Sequence, residues 1–259
     1  MINKKSEFTI FIIAVSVVIL LWFLNAYLLY CRTDKSEIGE MFGAVNALFT
    51  GLAFAGVIYT IYIQREDLKL TREELEGQKL QLQAQNETMN IQRFENTFFQ
   101  LLGLHNDIVN SIKYHDTIDK KVYSGRDCFS FFRQYLKYRY EDTLSNENQE
   151  EMVRINDAYE KFFHFFQSDL GHYFRHLYHI VKFIDISDVQ DKKQYTNLIR
   201  AQLSSYELTL LFYNCLSQYG RDKFKPLIEK HQLLHNMNKE ELLSTEHIEL
   251  YSISAYGSN

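Results

Sequence analysis

The sequence predicts an all-α protein with an N-terminal two-helix transmembrane hairpin, a long heptad-patterned stalk helix and a C-terminal cytosolic helical domain. Three observations predict it. Two charge-free apolar runs, 8–30 and 41–63, have the length of membrane spans. A seven-residue repeat follows the second run directly. One Pro and ten Gly among 259 residues, about a third of ordinary usage, leave little material for a turn-rich fold. The mean hydropathy of −0.29 conceals this division, because it averages two apolar runs with a strongly polar remainder.

The first run exceeds the roughly 7–15 residues of a signal-peptide core, and no small-x-small cleavage pattern follows it, so it reads as a retained anchor. Tyr30 before Cys31 is bulky where a lipoprotein signal wants a small residue. Cys31, Cys128 and Cys215 are odd in number and scattered, which argues against a disulfide framework and against a cysteine metal cluster. Only residues 31–40 separate the two runs, too few for a domain, so residues 1–63 are expected to form a hairpin. Lys4, Lys5, Arg65, Lys69, Arg72 and Lys79 flank it outside the turn, against Arg32 and Lys35 within the turn. The positive-inside rule then places both termini in the cytoplasm.

Gly39, Gly43, Ala47, Gly51 and Ala55 recur every four residues and form a small face on the second span. Such faces let helix backbones approach closely in lipid, within one chain or between chains. Asn25 and Asn46 fall at similar depth, with Thr50 one turn beyond. A hydrogen bond between the two amides would satisfy them, and a polar pore lining in an oligomer is the alternative.

Over residues 64–92, Leu68, Leu75, Leu82 and Met89 repeat at seven, beside Gln64, Thr71, Gln78, Gln85 and Gln92. Alternating apolar and amide layers predict a parallel self-associating stalk in which polar seam residues fix register and partner number. Docking of the same stripe on the chain's own domain would give the same pattern. Because the repeat continues the second span, tightening or rotation of the stalk would reach the membrane helices.

Residues 93–238 read as a helical domain, beginning with the dense apolar series from Phe94 through Ile112. A polar break at 115–123 ends this helix, and Ser124-Gly125-Arg126-Asp127 opens the next. Further helices are expected at 127–141, 149–167, 171–184, 193–219 and 226–235, with 143–148 as linker and Pro226 in a first helical turn. The tail, 239–259, is polar and is expected to be peripheral. Aromatic residues make up 15% of the chain, and at helical spacing they predict a core of bulky rings. The first 63 residues balance four basic against four acidic residues, so the net charge of −5 lies beyond them. That balance lacks the basic surface of a nucleic-acid binder, and no direct nucleic-acid binding is predicted.

His172, His176 and His179 stand at i, i+4 and i+7, a spacing that can ligate a metal or set an Arg beside a His. No Asp, Glu or Cys completes a site there, so hydrogen-bonded core histidines are the preferred reading and no metal is predicted. Lys223-Phe224-Lys225-Pro226 reads as an isolated basic spot, and Glu207, two turns along the same helix from Arg200, as a partner in an intrahelical or interhelical ion pair. Phosphate loops, nucleophile elbows, His-Glu-x-x-His and Cys-x-x-Cys motifs are absent, so no cofactor is expected and nothing compels an enzyme. Arg175 and His179 resemble the Arg-x4–6-His motif of HEPN ribonucleases, although only three residues separate them here. This gives the alternative of a membrane-tethered ribonuclease toxin using those two side chains.

The heptad stalk running into 92–102 and Gly125-Arg126-Asp127 are the first of several ordered motifs. Tyr173-Phe174-Arg175-His176-Leu177-Tyr178-His179 follows, then the segment 198–208 with Arg200 and Glu207, then Tyr213-Asn214-Cys215. Together, over about residues 38–235, they resemble the phage abortive infection proteins of the AbiC-like family. The resemblance implies antiphage defence in bacteria and supplies no catalytic assignment. Some retron systems use similar two-transmembrane effectors beside a reverse transcriptase, which with its RNA/DNA product would then be a partner. The resulting expectation is a two-pass, oligomeric effector of the bacterial inner membrane that disrupts this membrane in infected cells. A non-toxic membrane scaffold or sensor is the third alternative.

Overall fold

The structure, a computed structural model, describes residues 13, 16–24, 27–28, 30–31, 38–116, 120–145 and 149–257. The chain divides into two compact units, Met1–Gln83 and Ala84–Asn259. Helix accounts for 79% and strand for 4%, so the helical class holds, and among the described residues one antiparallel strand pair is its exception.

In the first unit, residues 16–24 are helical, and Val18, Ile19 and Trp22 line an apolar cleft of about 330 Å³ with Phe49 of α1 (Ile38–Ser111). Among the described residues, α1 is the one helix long and apolar enough to cross a membrane. Its Val45–Ser111 part holds an 18-residue window of mean hydropathy 1.6, none of it buried. A core helix of the same composition would be largely covered. The hydroxyls of Thr50 and Thr60 donate to the carbonyls of Asn46 and Gly56 at 2.8 and 2.9 Å, which satisfies them without any outside partner.

The second unit begins within α1 and continues through β1 (Lys113–Asp116), β2 (Lys121–Ser124), α2 (Asp127–Thr143) and α3 (Glu151–Ile186). Helices α4 (Lys192–Gln202), α5 (Ser205–Leu216) and α6 (Lys225–Lys230) follow, then three single 3₁₀ turns between Lys239 and Tyr256. Helix α5 is buried on every side from Glu207 to Leu216 and forms the centre, with α2 and α3 packed against it. Helix α3 turns an unbroken apolar stripe inward, with Ile155, Tyr159, Phe162, Phe166, Leu170 and Tyr173 buried at three- and four-residue steps.

Four features depart from the expected organisation. Around the polar break, Lys113–Asp116 and Lys121–Ser124 pair as antiparallel strands in which Tyr114 faces Tyr123, and both rings pack on Phe131 at centroid distances of 4.2 and 5.3 Å. The ring stacking supplies the tertiary support that four-residue strands lack on their own. Gly125 follows in the left-handed region at φ +56°, and its N–H donates to the Ile112 carbonyl at 2.8 Å, closing the hairpin where a side chain would be strained. Second, α3 does not break between 167 and 171 but runs through Gly171 for 36 residues. Third, 193–219 is two helices, because Ser204 and Glu207 form a reciprocal capping box that starts α5.

Fourth, the tail is not peripheral, since Leu242, His247, Tyr251 and Ala255 are buried in the core. The Tyr251 hydroxyl donates to the Phe212 carbonyl at 2.8 Å, and Lys225 Nζ donates to the Leu250 carbonyl at 2.9 Å. A relay fixes the same segment: Leu243 N–H donates to the Tyr213 hydroxyl, which lies 2.7 Å from His247 Nδ1. His247 Nε2 lies 2.7 Å from Glu151 Oε1, which also accepts from Tyr140.

Candidate functional site

A cavity of about 520 Å³ in the second unit lies between α3 and the segment that follows α5. Helix α3 contributes a stripe at i, i+4, i+8, i+12, i+16 and i+19, namely Phe163, Gln167, Gly171, Arg175, His179 and Lys182. Phe174 and Tyr178 lie beside it. The facing wall comes from Asn214, Tyr219, Gly220, Lys223 and Phe224.

The sequence builds that wall through one close approach. A Cβ at Gly220 would sit 2.9 Å from the Asn214 carbonyl oxygen and 2.9 Å from Cys215 Cα, so only glycine lets the turn fold back over the end of α5. The Gly220 carbonyl then accepts from the N–H groups of Phe224 and Lys225 at 2.8 and 3.0 Å. Asn214 is buried, with its Nδ2 donating to the Tyr159 hydroxyl at 2.7 Å.

The lining carries three full cations, Arg175, Lys182 and Lys223, and no carboxylate. Two ring pairs flank it: Phe163 and Tyr219 at a centroid distance of 4.4 Å, Tyr178 and Phe224 edge-on at 5.5 Å. Arg175 Nη2 donates to His172 Nδ1 at 3.4 Å, and Lys182 Nζ lies 5.7 Å from the Tyr178 ring centre. Cations beside aromatic faces form a site for an anion with an aromatic part.

Gly171 forms part of the floor. An added Cβ there would meet Arg175 Nη2 at 3.8 Å and Gln167 Cγ at 3.9 Å, both ordinary contacts. Gly171→Ala is therefore expected to stabilise α3 by about 0.5–1 kcal/mol, read as a higher thermal midpoint. A lower midpoint would mean that the floor is tighter than its geometry indicates.

Behind the cleft lies a buried polar cluster. The Tyr173 hydroxyl donates to Glu207 Oε1 at 3.3 Å, and Glu207 Oε2 accepts from Ser204 N–H at 2.8 Å. The rings of His105 and His176 stack at 5.7 Å, and none of their four ring nitrogens has a hydrogen-bond partner. Burial holds the His105 imidazole down at about 4, with His176 and Arg126 adding to the effect. Burial lowers His176 too, followed by the influence of His179. Both histidines are neutral at physiological pH.

The structure brings Phe174, Arg175, His179 and Asn214 together in the cleft, and Tyr173 and Glu207 together behind it. Arg126 donates to Asn106 Oδ1 at 3.3 Å between the left-handed Gly125 and Asp127 in the first turn of α2. Arg200 stands apart, donating to the Gln232 carbonyl at 3.4 Å, so the expected Arg200–Glu207 ion pair is replaced by two separate roles. His172, His176 and His179 do not converge, since His172 meets Arg175, His176 meets His105 and His179 enters the cleft. Among the described residues, no group of three or more ligating side chains could hold a metal.

On α1, a Cβ added at Gly39, Gly43 or Gly51 would meet nothing within 4 Å among the described residues, and Ala47 and Ala55 are exposed. Asn46 and Thr50 are exposed, whereas Asn25 lies outside the described residues. Along the stalk Leu68, Leu75 and Leu82 are 57%, 58% and 59% exposed, and Met89, Gln64, Gln78, Gln85 and Gln92 are exposed as well.

Sequence reasoning missed Phe163, Lys182, Tyr219, Gly220 and Phe224 as site residues and read Lys223 as isolated. The available signal was the polar series Gln167, Arg175, His179 and Lys182 along one line of an otherwise apolar helix.

A profile of the family described as "Putative phage abortive infection protein" matches residues 166–242. The matched segment contains every lining residue of the cleft except Phe163, and it connects the chain to phage defence in general. No curated protein and no solved structure gives a significant match.

Proposed function

We propose that the protein is an antiphage effector of abortive-infection type that acts on the inner membrane of infected cells. The observation that carries this reading is the uncovered apolar length of α1 in the same chain as the abortive-infection segment. An apolar helix of this length finds its stable environment in lipid. The cleft shared by residues 16–24 and Phe49 supports a pairing of two spans, which would place both termini on one side, and the basic flanks make that side the cytoplasm. The open small-residue face and the exposed Leu stripe support assembly of several copies through α1. A reverse transcriptase and its product would join the assembly if the chain works within a retron.

The test is membrane potential and dye entry in bacteria expressing the full chain or a form lacking residues 1–63, with and without phage. Depolarisation and dye entry are expected only with the full chain. Growth arrest by both forms with an intact membrane would overturn the reading.

The second reading, a membrane-tethered ribonuclease, is favoured by one observation: Arg175 and His179 share a cationic cleft. Under it, Arg175→Ala with His179→Ala abolishes toxicity while the fold survives, and cellular RNA is cut. A purely scaffolding protein would cause no growth defect in any form.

A further inference from the structure

We propose that the cleft between α3 and the 214–224 segment binds a free nucleotide carrying two or more phosphates. Arg175 and Lys182 on α3 and Lys223 on the facing turn supply three cations to one concavity of about 520 Å³ that has no carboxylate in its lining. That size falls within the roughly 300–1,000 Å³ of small-molecule sites. Three cations match the charge of a polyphosphate, and Arg175 adds a planar fork suited to phosphate oxygens.

Simple anion binding would need no aromatic walls. Here the rings of Phe163 and Tyr219 lie 4.4 Å apart on one side of the cleft, and those of Tyr178 and Phe224 lie 5.5 Å apart on the other. Tyr219 is 46% exposed, so part of its ring is open to a base. Stacking on such rings contributes about 1–3 kcal/mol per base whatever the base. Gln167 is exposed among these groups and can reach a base edge or a ribose hydroxyl.

A nucleic-acid strand fits less well. Polynucleotide binding requires an extended cationic track, and the part of this chain beyond residue 63 carries a net charge of −5. A small ligand responds to the three local cations rather than to the overall field. This assignment concerns ligand binding alone and is independent of whether the chain permeabilises membranes.

The test is equilibrium binding to the full chain in detergent micelles. The probes are ATP, ADP, adenosine, inorganic pyrophosphate and a ten-nucleotide single-stranded RNA. ATP or ADP is expected to bind saturably, with adenosine and pyrophosphate each at least about tenfold weaker. Lys182→Glu with Lys223→Glu, both on exposed side chains, is expected to weaken ATP binding by at least about tenfold. Gly171→Leu fills the floor and is expected to do the same. The proposal is overturned if no nucleotide saturates by millimolar concentration, or if pyrophosphate binds as tightly as ATP. Tighter binding of the RNA than of ATP, or unchanged ATP affinity in the double lysine variant, would overturn it equally.

Discussion

Glu207→Ala is expected to destabilise the second unit by about 2–4 kcal/mol, among the largest losses available to one polar side chain. Two contributions add. The Glu207 carboxylate closes the capping box by accepting from Ser204 N–H, and loss of such a cap costs about 1 kcal/mol. The other oxygen receives the Tyr173 hydroxyl in a site with no solvent, where a donor left alone costs about 1–3 kcal/mol. Glu207→Gln keeps an acceptor for Ser204 and a polar neighbour for Tyr173, so it should cost less than the alanine change. Thermal unfolding of the full chain followed by near-UV circular dichroism separates the three proteins. If Glu207→Ala melts within about 0.5 kcal/mol of the parent, the size of an ordinary surface substitution, then neither contact stabilises the fold.

Acid should weaken the same unit well above the pH at which carboxylates titrate. His105 is buried among aromatic rings on α1, and burial holds its imidazole at about 4 against 6.5 when exposed. The folded state thus binds fewer protons than the unfolded state between these two values, and stability rises with pH across that window. His105 contributes fully above about 6.5 and progressively less as pH falls toward 4, with a total change of about 3 kcal/mol. His176 acts in the same direction. Carboxylates act lower on the scale. Lys230 holds the Asp185 carboxyl down despite its partial burial, with His231 assisting. Burial raises Glu151, but the hydrogen bonds of Tyr140 and His247 outweigh it, so its net direction is also down. Their stabilisation is lost only below the usual carboxylate range. His105→Phe keeps a ring in place and removes its titration, so the fall in melting temperature between pH 6.5 and 4 should become shallower, with His176 leaving a remainder. An unchanged slope in that variant would assign the acid sensitivity elsewhere.

The elements that the sequence disclosed are those whose signal is long and periodic. Charge-free length and the repeat of Leu68, Leu75 and Leu82 identify most of α1 without reference to any contact. The hairpin was hidden because Lys113–Asp116 and Lys121–Ser124 are four residues each, mostly polar, and depend on Phe131 some distance along the chain. The break before α5 was hidden for another reason. No Gly or Pro marks it, and Ser204-Ser205-Tyr206-Glu207 carries the capping signature that the pairing with Arg200 obscured. Half of the cleft was legible, since Arg175 and His179 stood out on α3. The facing half was not, because Lys223 joins Lys182 only after Gly220 has turned the chain back on α5. Polar hydroxyls along the tail likewise gave no hint that Tyr251 completes the core.

That last placement bears on the order in which the protein is made. Ile63 leaves the ribosome 188 residues before Tyr251. At about 5–20 residues per second, about ten to forty seconds pass between the apolar part of α1 and the Tyr251 ring that packs on Phe212. Under the proposed membrane role, α1 can therefore enter lipid before the core of the second unit closes. Under that reading the bulky rings of the second unit close on a chain already held at a bilayer.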